Sequence, residues 1–209
     1  IKIQEGCDQV CAYCIVPKVR GRERSIPVAA IVEQVKYHTG RGCQEVVLTG
    51  SQLGTYGFDL DKVNLLTLLE SILAETGVAR LRVSSLQPQE ITRELLEAWE
   101  NPRLAPHFHV PLQSGSDLIL KSMRRRYDAA QFARAVELIR RRVSSAAITT
   151  DLIVGFPGEG EAEYRESRRF ARSVEFSNMH IFPYSPRPGT SAVYLKDQVP
   201  AQVKKTRAA

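Results

Sequence analysis

A chain of 209 residues suits one large domain or two small ones and buries enough core to need no disulfide staples. With 43% hydrophobic and 25% charged residues it has a globular composition, and no apolar run is long enough to cross a bilayer, which argues against a membrane partner. The 29 basic residues against 23 acidic ones, a formal charge of +6, fit an anionic partner without naming it.

In chain order, short β-rich apolar runs alternate with stretches of helical period. Ile1 to Gln4 reads as a first strand, followed by a cysteine-rich loop and a helix from about Pro27 to Thr39. Pro27 suits its first turn, and Gly40 and Gly42 its end. Glu45 to Thr49 is the second strand, closed by Gly50. The next helix carries Leu65, Leu66, Leu69, Ile72 and Leu73 and ends at Gly77. Arg80 to Ser84 reads as strand and Thr92 to Glu100 as helix, with Thr92 near its N-terminus. Phe108 to Leu112 precedes a helix over Ala129 to Arg142. Ala147 to Val154 precedes one from Glu161 to Ser173, and Asn178 to Tyr184 is the last strand. Six βα-type units at intervals of roughly 25–40 residues predict parallel strands with helical crossovers. The fold class is α/β, and periodicity alone leaves a six-stranded partial TIM-type barrel and a doubly wound sheet both open.

Three of the four cysteines, Cys7, Cys11 and Cys14, fall in one loop with the spacing C-x3-C-x2-C, and Cys43 stands apart. That is a poor disulfide framework and points to metal binding in a reducing compartment, the cytoplasm. Four-iron clusters usually take four thiolates. Three leave one iron open to a further ligand, by the logic that separates catalytic from structural zinc sites. Spacing alone leaves room for a zinc-stabilised RNA-binding module or an electron-transfer cluster whose fourth ligand is Cys43 or a histidine. Cys43, beside Gly42 and a strand, reads as a buried hydrophobe, and His38 and His180 as surface or packing residues.

Cys7-x3-Cys11-x2-Cys14 with Tyr13 before the third cysteine resembles the signature of the radical S-adenosylmethionine (SAM) superfamily. The resemblance extends through Gly6 to Arg24, Leu48 to Gly57, Pro111 to Asp117, Thr150 to Glu159 and Pro183 to Thr190. There the chain is similar to the methylthiotransferase family, most of all to the branch that acts on N6-threonylcarbamoyladenosine in tRNA. Branches acting on isopentenyladenosine in tRNA or on a ribosomal protein are the alternatives. The resemblance implies a (β/α)6 radical SAM core with a [4Fe–4S] cluster on Cys7, Cys11 and Cys14. SAM chelates the open iron and is cleaved to a 5′-deoxyadenosyl radical, with an electron donor such as a flavodoxin or ferredoxin.

On that resemblance Tyr13 helps hold the adenine. Thr49, Gly50 and Ser51 meet the amino end of SAM, Gly50 allowing close backbone approach. Ser84 and Ser85 hydrogen-bond its ribose or carboxylate, Gln113 contacts the ribose, Asp151, Ile153 and Gly155 pack by the adenine, and Arg125 pairs with the carboxylate. Each has a structural alternative. Gly50 and Gly155 also suit strand-ending turns, Gln113 to Ser116 a helix-capping turn with Asp117 in the first helical turn, and Asp151 a hydrogen-bonded structural carboxylate.

Basic residues bunch in Lys18 to Arg24, Lys121 to Arg126 and Arg140 to Arg142. The first two suit phosphate contacts with a tRNA anticodon stem-loop, and the third a solvated helix end. The family resemblance implies an N-terminal domain with a second cluster and a C-terminal RNA-binding domain. The expectation is therefore that residues 1–209 are an excised catalytic core.

Overall fold

Where the apolar period switches from two to 3.6 along the chain, strand gives way to helix in space. The computed structural model describes all 209 residues. Its elements are β1 (Gln4–Glu5), α1 (Val16–Arg20), β2 (Arg24–Ser25), α2 (Val28–Thr39), β3 (Glu45–Leu48), α3 (Leu65–Glu75), β4 (Arg80–Val83), α4 (Arg93–Glu97) and β5 (His107–His109). Then follow α5 (Asp117–Ser122), α6 (Ala129–Arg142), β6 (Ala147–Val154), α7 (Glu161–Val174), β7 (Asn178–Pro183) and α8 (Ala201–Ala208). Local chemistry sets several starts. Asn64 accepts from the Thr67 amide and Asp128 from the Gln131 amide, each in a reciprocal capping box, and Thr92 caps α4 through the Leu95 amide.

The first residues run beside the end of β3. Lys2 bridges Thr49 in parallel, with Ile3 N donating to Thr49 O and Thr49 N to Ile1 O, both at 2.8 Å. β3 pairs in parallel with β4, a parallel bridge from Leu81 to Leu104 leads on towards β5, and β5, β6 and β7 are parallel neighbours. The strands thus succeed one another in chain order. A doubly wound sheet must reverse its order at a switch point, so the six parallel segments form the partial barrel.

Helices cover one face only. Val46, Leu48, Leu81, Phe108, Ile148 and Leu152 point into a core of 36 buried residues with Ile31, Leu69, Ile72, Phe132 and Ile139 from the helices. The alternate residues Glu45, Arg82, His107, His109, Thr149 and Asp151 face the lumen, where only partial burial is possible. Glu45 pairs with Arg82 at 2.7 Å.

The regular part of β5 is shorter than its pattern predicts. Pro111 has no N–H for the ladder, and buried Thr150 takes over, its hydroxyl accepting from Leu112 N at 2.9 Å and donating to Val110 O at 2.7 Å. The short helices α1 and α5 carry too few turns for a periodicity signal. Asp117 does lie in a first helical turn.

Candidate cluster and cofactor site

The cysteine loop leaves the barrel at the C-terminal end of the first strand and returns through β2, which pairs antiparallel with β1 (Gln4 with Ser25, Glu5 with Arg24). Gly6 makes this crossing possible. Its φ is +80°, and a Cβ there would stand 2.0 Å from the Arg22 carbonyl oxygen. Arg22 closes the loop on Asp8 at 2.7 Å, and buried Glu23 accepts from Asp8 N at 3.1 Å and from the Thr55 hydroxyl at 2.6 Å. Ala12 is clamped between Met123 O and Ala192 N by backbone hydrogen bonds of 3.0 and 2.8 Å.

Cys7, Cys11 and Cys14 are half-buried and form no disulfide. Burial pushes the Cys7 thiol up to about 11 and the Cys14 thiol in the same direction. A coordinated metal reverses that preference by holding the thiolate. No group of three or more His, Cys, Asp or Glu side chains converges on a point that would hold one metal ion. Cluster iron asks for one thiolate each rather than convergence. Cys43 corrects its expectation: it is exposed, donates to Glu45 O at 3.1 Å, and precedes β3, at the end of the strand away from the loop.

Arg125 sits in the middle of the site. One guanidinium nitrogen donates to Cys11 Sγ at 3.2 Å and Tyr13 OH at 3.3 Å, another to Gln87 Oε1 at 3.1 Å, and Nε to Tyr127 OH at 3.1 Å. Its fork therefore serves the cysteine loop and its neighbours, whereas the sequence offered it to a carboxylate. It is also the inward member of its basic run, since Lys121, Arg124 and Arg126 are exposed.

Two recesses open beside the loop. A polar one of about 140 Å³ is lined by Ser51, Gln52, Ser85, Gln87, Glu90 and Arg125 among others. The second, of about 300 Å³, is lined by Tyr13, Asp151, Ile153, Phe182 and Arg187 among others. Gln113 lines both, at the left-handed φ of +65°, and pairs with β6 through Asp151 O and Ile153 N. The structure thus gathers Tyr13, Ser51, Ser85, Gln113, Arg125, Asp151 and Ile153.

Thr49, Gly50, Ser84 and Gly155 line neither recess. Thr49 leans its hydroxyl on Ile1 O at 3.4 Å. Ser84 continues the β3 pairing through its amide to Leu48 O. Gly50 is approached by Gln4, whose carbonyl oxygen would lie 3.0 Å from a Cβ, and Gly155, at φ +69°, by Lys204 of α8. A larger cavity of about 430 Å³ lies on the other side of β6 and β7, against α7 and α8, away from the thiols.

Several functional side chains escaped sequence reasoning. Gln4, fully buried, accepts from Ser51 N at 2.9 Å and Gln52 N at 3.0 Å and donates to Gly6 O at 3.0 Å, tying the cysteine loop to the loop after β3. Glu90 accepts from Gln52 Nε2 and Gln87 N, and burial pushes its carboxyl up to about 7. In the Gln87–Pro88–Gln89–Glu90 stretch the legible signal is a proline at the start of a turn with an acid two residues on, which reaches back to the Gln87 amide at 2.8 Å. His109 and His180 flank Asp151 at 3.2 and 3.3 Å. Burial alone would raise the Asp151 carboxyl, but the two rings outweigh it and hold the group below its ordinary range.

Comparison with known proteins follows the same lines. A family model described as the radical SAM superfamily matches residues 1–171. A threonylcarbamoyladenosine tRNA methylthiotransferase, MtaB, from Aquifex aeolicus (strain VF5) is 43% identical over 208 residues, 99% of this chain and 50% of that protein. A tRNA-2-methylthio-N(6)-dimethylallyladenosine synthase from Anaplasma phagocytophilum (strain HZ) is 40% identical over 212 residues, 100% of this chain and 48% of that protein. Among solved structures, the radical S-adenosylmethionine methyltransferase TsrM from Kitasatospora setae, with cobalamin and a [4Fe-4S] cluster bound, superposes with a TM-score of 0.76 at 17% identity, over 92% of this chain and 38% of that one. That likeness bears on the fold alone. The chain spans about half the length of the curated relatives it matches.

Proposed function

The chain belongs to the radical SAM superfamily, and we propose that it is the catalytic core of an enzyme that 2-methylthiolates N6-threonylcarbamoyladenosine beside the tRNA anticodon. The observation that carries this reading is the loop of Cys7, Cys11 and Cys14 at the C-terminal mouth of a partial barrel, next to a recess walled by Tyr13 and Ile153. The donor set fits a [4Fe–4S] cluster held by three thiolates. The thiols form no disulfide, the guanidinium of Arg125 donates to Cys11 Sγ at 3.2 Å, and Cys43 is at the wrong end of β3 to complete a fourth bond.

When bound, the cluster and SAM together supply a one-electron cleavage that yields a 5′-deoxyadenosyl radical. The chain's part is placement. Tyr13, with its ring edge against Phe156, and Ile153 present an aromatic and an aliphatic wall to an adenine. Gln113 offers its amide at the junction of the two recesses, and Ser51, Ser85 and Gln87 line the polar one, suited to an amino-acid moiety. Ala12, Ile119, Met123, Phe156, Tyr184 and Ala192 form a small second core that backs the mouth and keeps water from that side.

Exposed Lys18, Arg20, Arg24, Lys121, Arg124 and Arg126 stand ready for anticodon-stem phosphates, while Arg140 is spent on the carbonyls of Val174 and Glu175. A cytoplasmic setting, an electron donor of the flavodoxin or ferredoxin kind, and flanking domains bearing a second cluster and an RNA-binding module complete the reading.

The test is anaerobic. The reconstituted, reduced protein is given SAM and assayed for 5′-deoxyadenosine, and Cys11→Ala should lose both iron and product. An intact four-iron cluster that yields no 5′-deoxyadenosine overturns the enzymatic reading. The target is settled by nucleoside mass spectrometry of tRNA from a deletion strain, where the 2-methylthio mark on threonylcarbamoyladenosine should vanish.

A further inference from the structure

The lumen below the Tyr13–Ile153 recess is polar, and its hydrogen bonds run in a chain that ends at the open side of the barrel. His107 Nε2 lies 3.4 Å from Thr149 Oγ1, which lies 3.0 Å from His109 Nδ1. His109 Nε2 meets Asp151 Oδ2 at 3.2 Å, and Asp151 Oδ1 meets His180 Nδ1 at 3.3 Å. Thr149, His109 and Asp151 are bonded on both sides, and His107 ends the chain inside the wall with a buried Nδ1 that has no partner. His180 ends it at the open side. It stands on the last strand, directly opposite Asp151 in the β6–β7 register, its side chain is 59% exposed, and its Nε2 has no protein partner. Asp151 fixes the ring by one nitrogen and leaves the other presented to whatever enters the lumen from the open edge.

Two residues further along the same face is Phe182, opposite Ile153, 50% exposed and part of the 300 Å³ recess. An exposed aromatic face beside an oriented ring nitrogen is the arrangement by which proteins read a splayed-out base, one group stacking and the other reading a polar edge. An N6-threonylcarbamoyl group carries a carboxylate, a hydroxyl and ureido N–H groups, whereas a dimethylallyl group has none. A site whose polar groups need partners rejects the analogue that lacks them far more strongly than an apolar pocket rejects an added polar group.

We infer that His180, positioned by Asp151, is the residue by which this chain selects an adenosine with a polar, carboxylate-bearing N6 substituent over one with an apolar substituent. The inference rests on the threonylcarbamoyladenosine reading given above.

The experiment uses the full-length holoenzyme and three anticodon stem-loops, carrying threonylcarbamoyladenosine, dimethylallyladenosine or unmodified adenosine. Affinities are read by fluorescence anisotropy, and product ratios by mass spectrometry of an equimolar mixture. His180→Phe should reduce the preference for the threonylcarbamoyl RNA about ten- to a hundredfold, by weakening that RNA and not the unmodified one. His180→Gln, which keeps a polar group at the position, should retain part of the preference, and Asp151→Asn should lose part of it. Because His180 is exposed on an edge strand, thermal melting should be nearly unchanged in the two His180 variants. A wild-type preference that survives His180→Phe undiminished overturns the inference alone. A wild-type enzyme that prefers the dimethylallyl RNA overturns the substrate reading instead.

Discussion

Replacing Gln4 by leucine should destabilise the protein out of proportion to the size of the change. The side chain is fully buried and its amide makes three hydrogen bonds, accepting from Ser51 N and Gln52 N and donating to Gly6 O. Leucine has similar volume and none of these groups, so two amides and a carbonyl lose their partner. Each such orphan costs about 1–3 kcal/mol when buried. Gly6 and Gln52 are buried and Ser51 is half-buried, so a gross loss of about 3–5 kcal/mol is expected. The extra apolar burial of leucine returns about 1 kcal/mol, leaving a net loss of about 2–4 kcal/mol. For a domain of this size that is about 5–15 °C in Tm.

The assay is urea unfolding with the slope held as a check, followed by iron content after anaerobic reconstitution. Iron should fall with stability, because the same amide ties the start of the cysteine loop to the loop after β3. A Gln4→Leu variant within 1 kcal/mol of the parent, with full iron, would refute the idea that this side chain holds the two loops in register.

Other perturbations separate neighbouring residues. Cys43→Ser should leave the iron content of the reconstituted protein at the parent's level, whereas Cys7→Ser, Cys11→Ser or Cys14→Ser should each drop it several-fold. Because the Glu90 carboxyl is pushed from 4.5 up to about 7 by burial, the folded chain binds that proton more readily than the unfolded one. The stability of the cluster-free chain should therefore fall as pH rises from about 4.5 through about 7 and level off above, by at most about 3 kcal/mol. Glu90→Gln should flatten that slope in denaturation curves taken at several pH values. Arg207→Met should cost about 3–5 kcal/mol in urea unfolding, since it leaves Glu159, only 1% exposed in its side chain, without the guanidinium at 2.7 Å. Gly6→Ala, with its Cβ forced against the Arg22 carbonyl, should lower both Tm and iron content.

How much of this was legible in the sequence depended on whether the signal was local. The helices over 65–75 and 129–142 carry their own side-chain caps, the one over 28–39 starts behind Pro27, all three carry apolar stripes, and β6 carries an uninterrupted alternation, so their bounds agree with the pattern to within about two residues. The cysteine spacing is local too, and so is Tyr13. The polar site is not. In the sequence Gln4 is only the last residue of the first strand, and only the return of Ser51 and Gln52 from 47 and 48 residues away shows what its amide is for. Gly50 and Gly155 were legible as glycines that something approaches, yet what approaches them is Gln4 and Lys204, partners supplied by the fold.

The histidines make the same point most sharply. His109, Asp151 and His180 are separated by dozens of residues, and although the family resemblance marks Asp151, nothing in the sequence joins it to either histidine. The parallel register of β6 and β7 sets Asp151 opposite His180, and lumen-facing alternation brings His109 to the same carboxylate. Strand periodicity says which residues share a face, but the neighbour across a parallel sheet is fixed by crossover length and helix packing, neither of which leaves a residue-level mark. A cluster motif can therefore be read from one loop, while the groups that would tell one substrate from another are assembled only when the barrel closes around them.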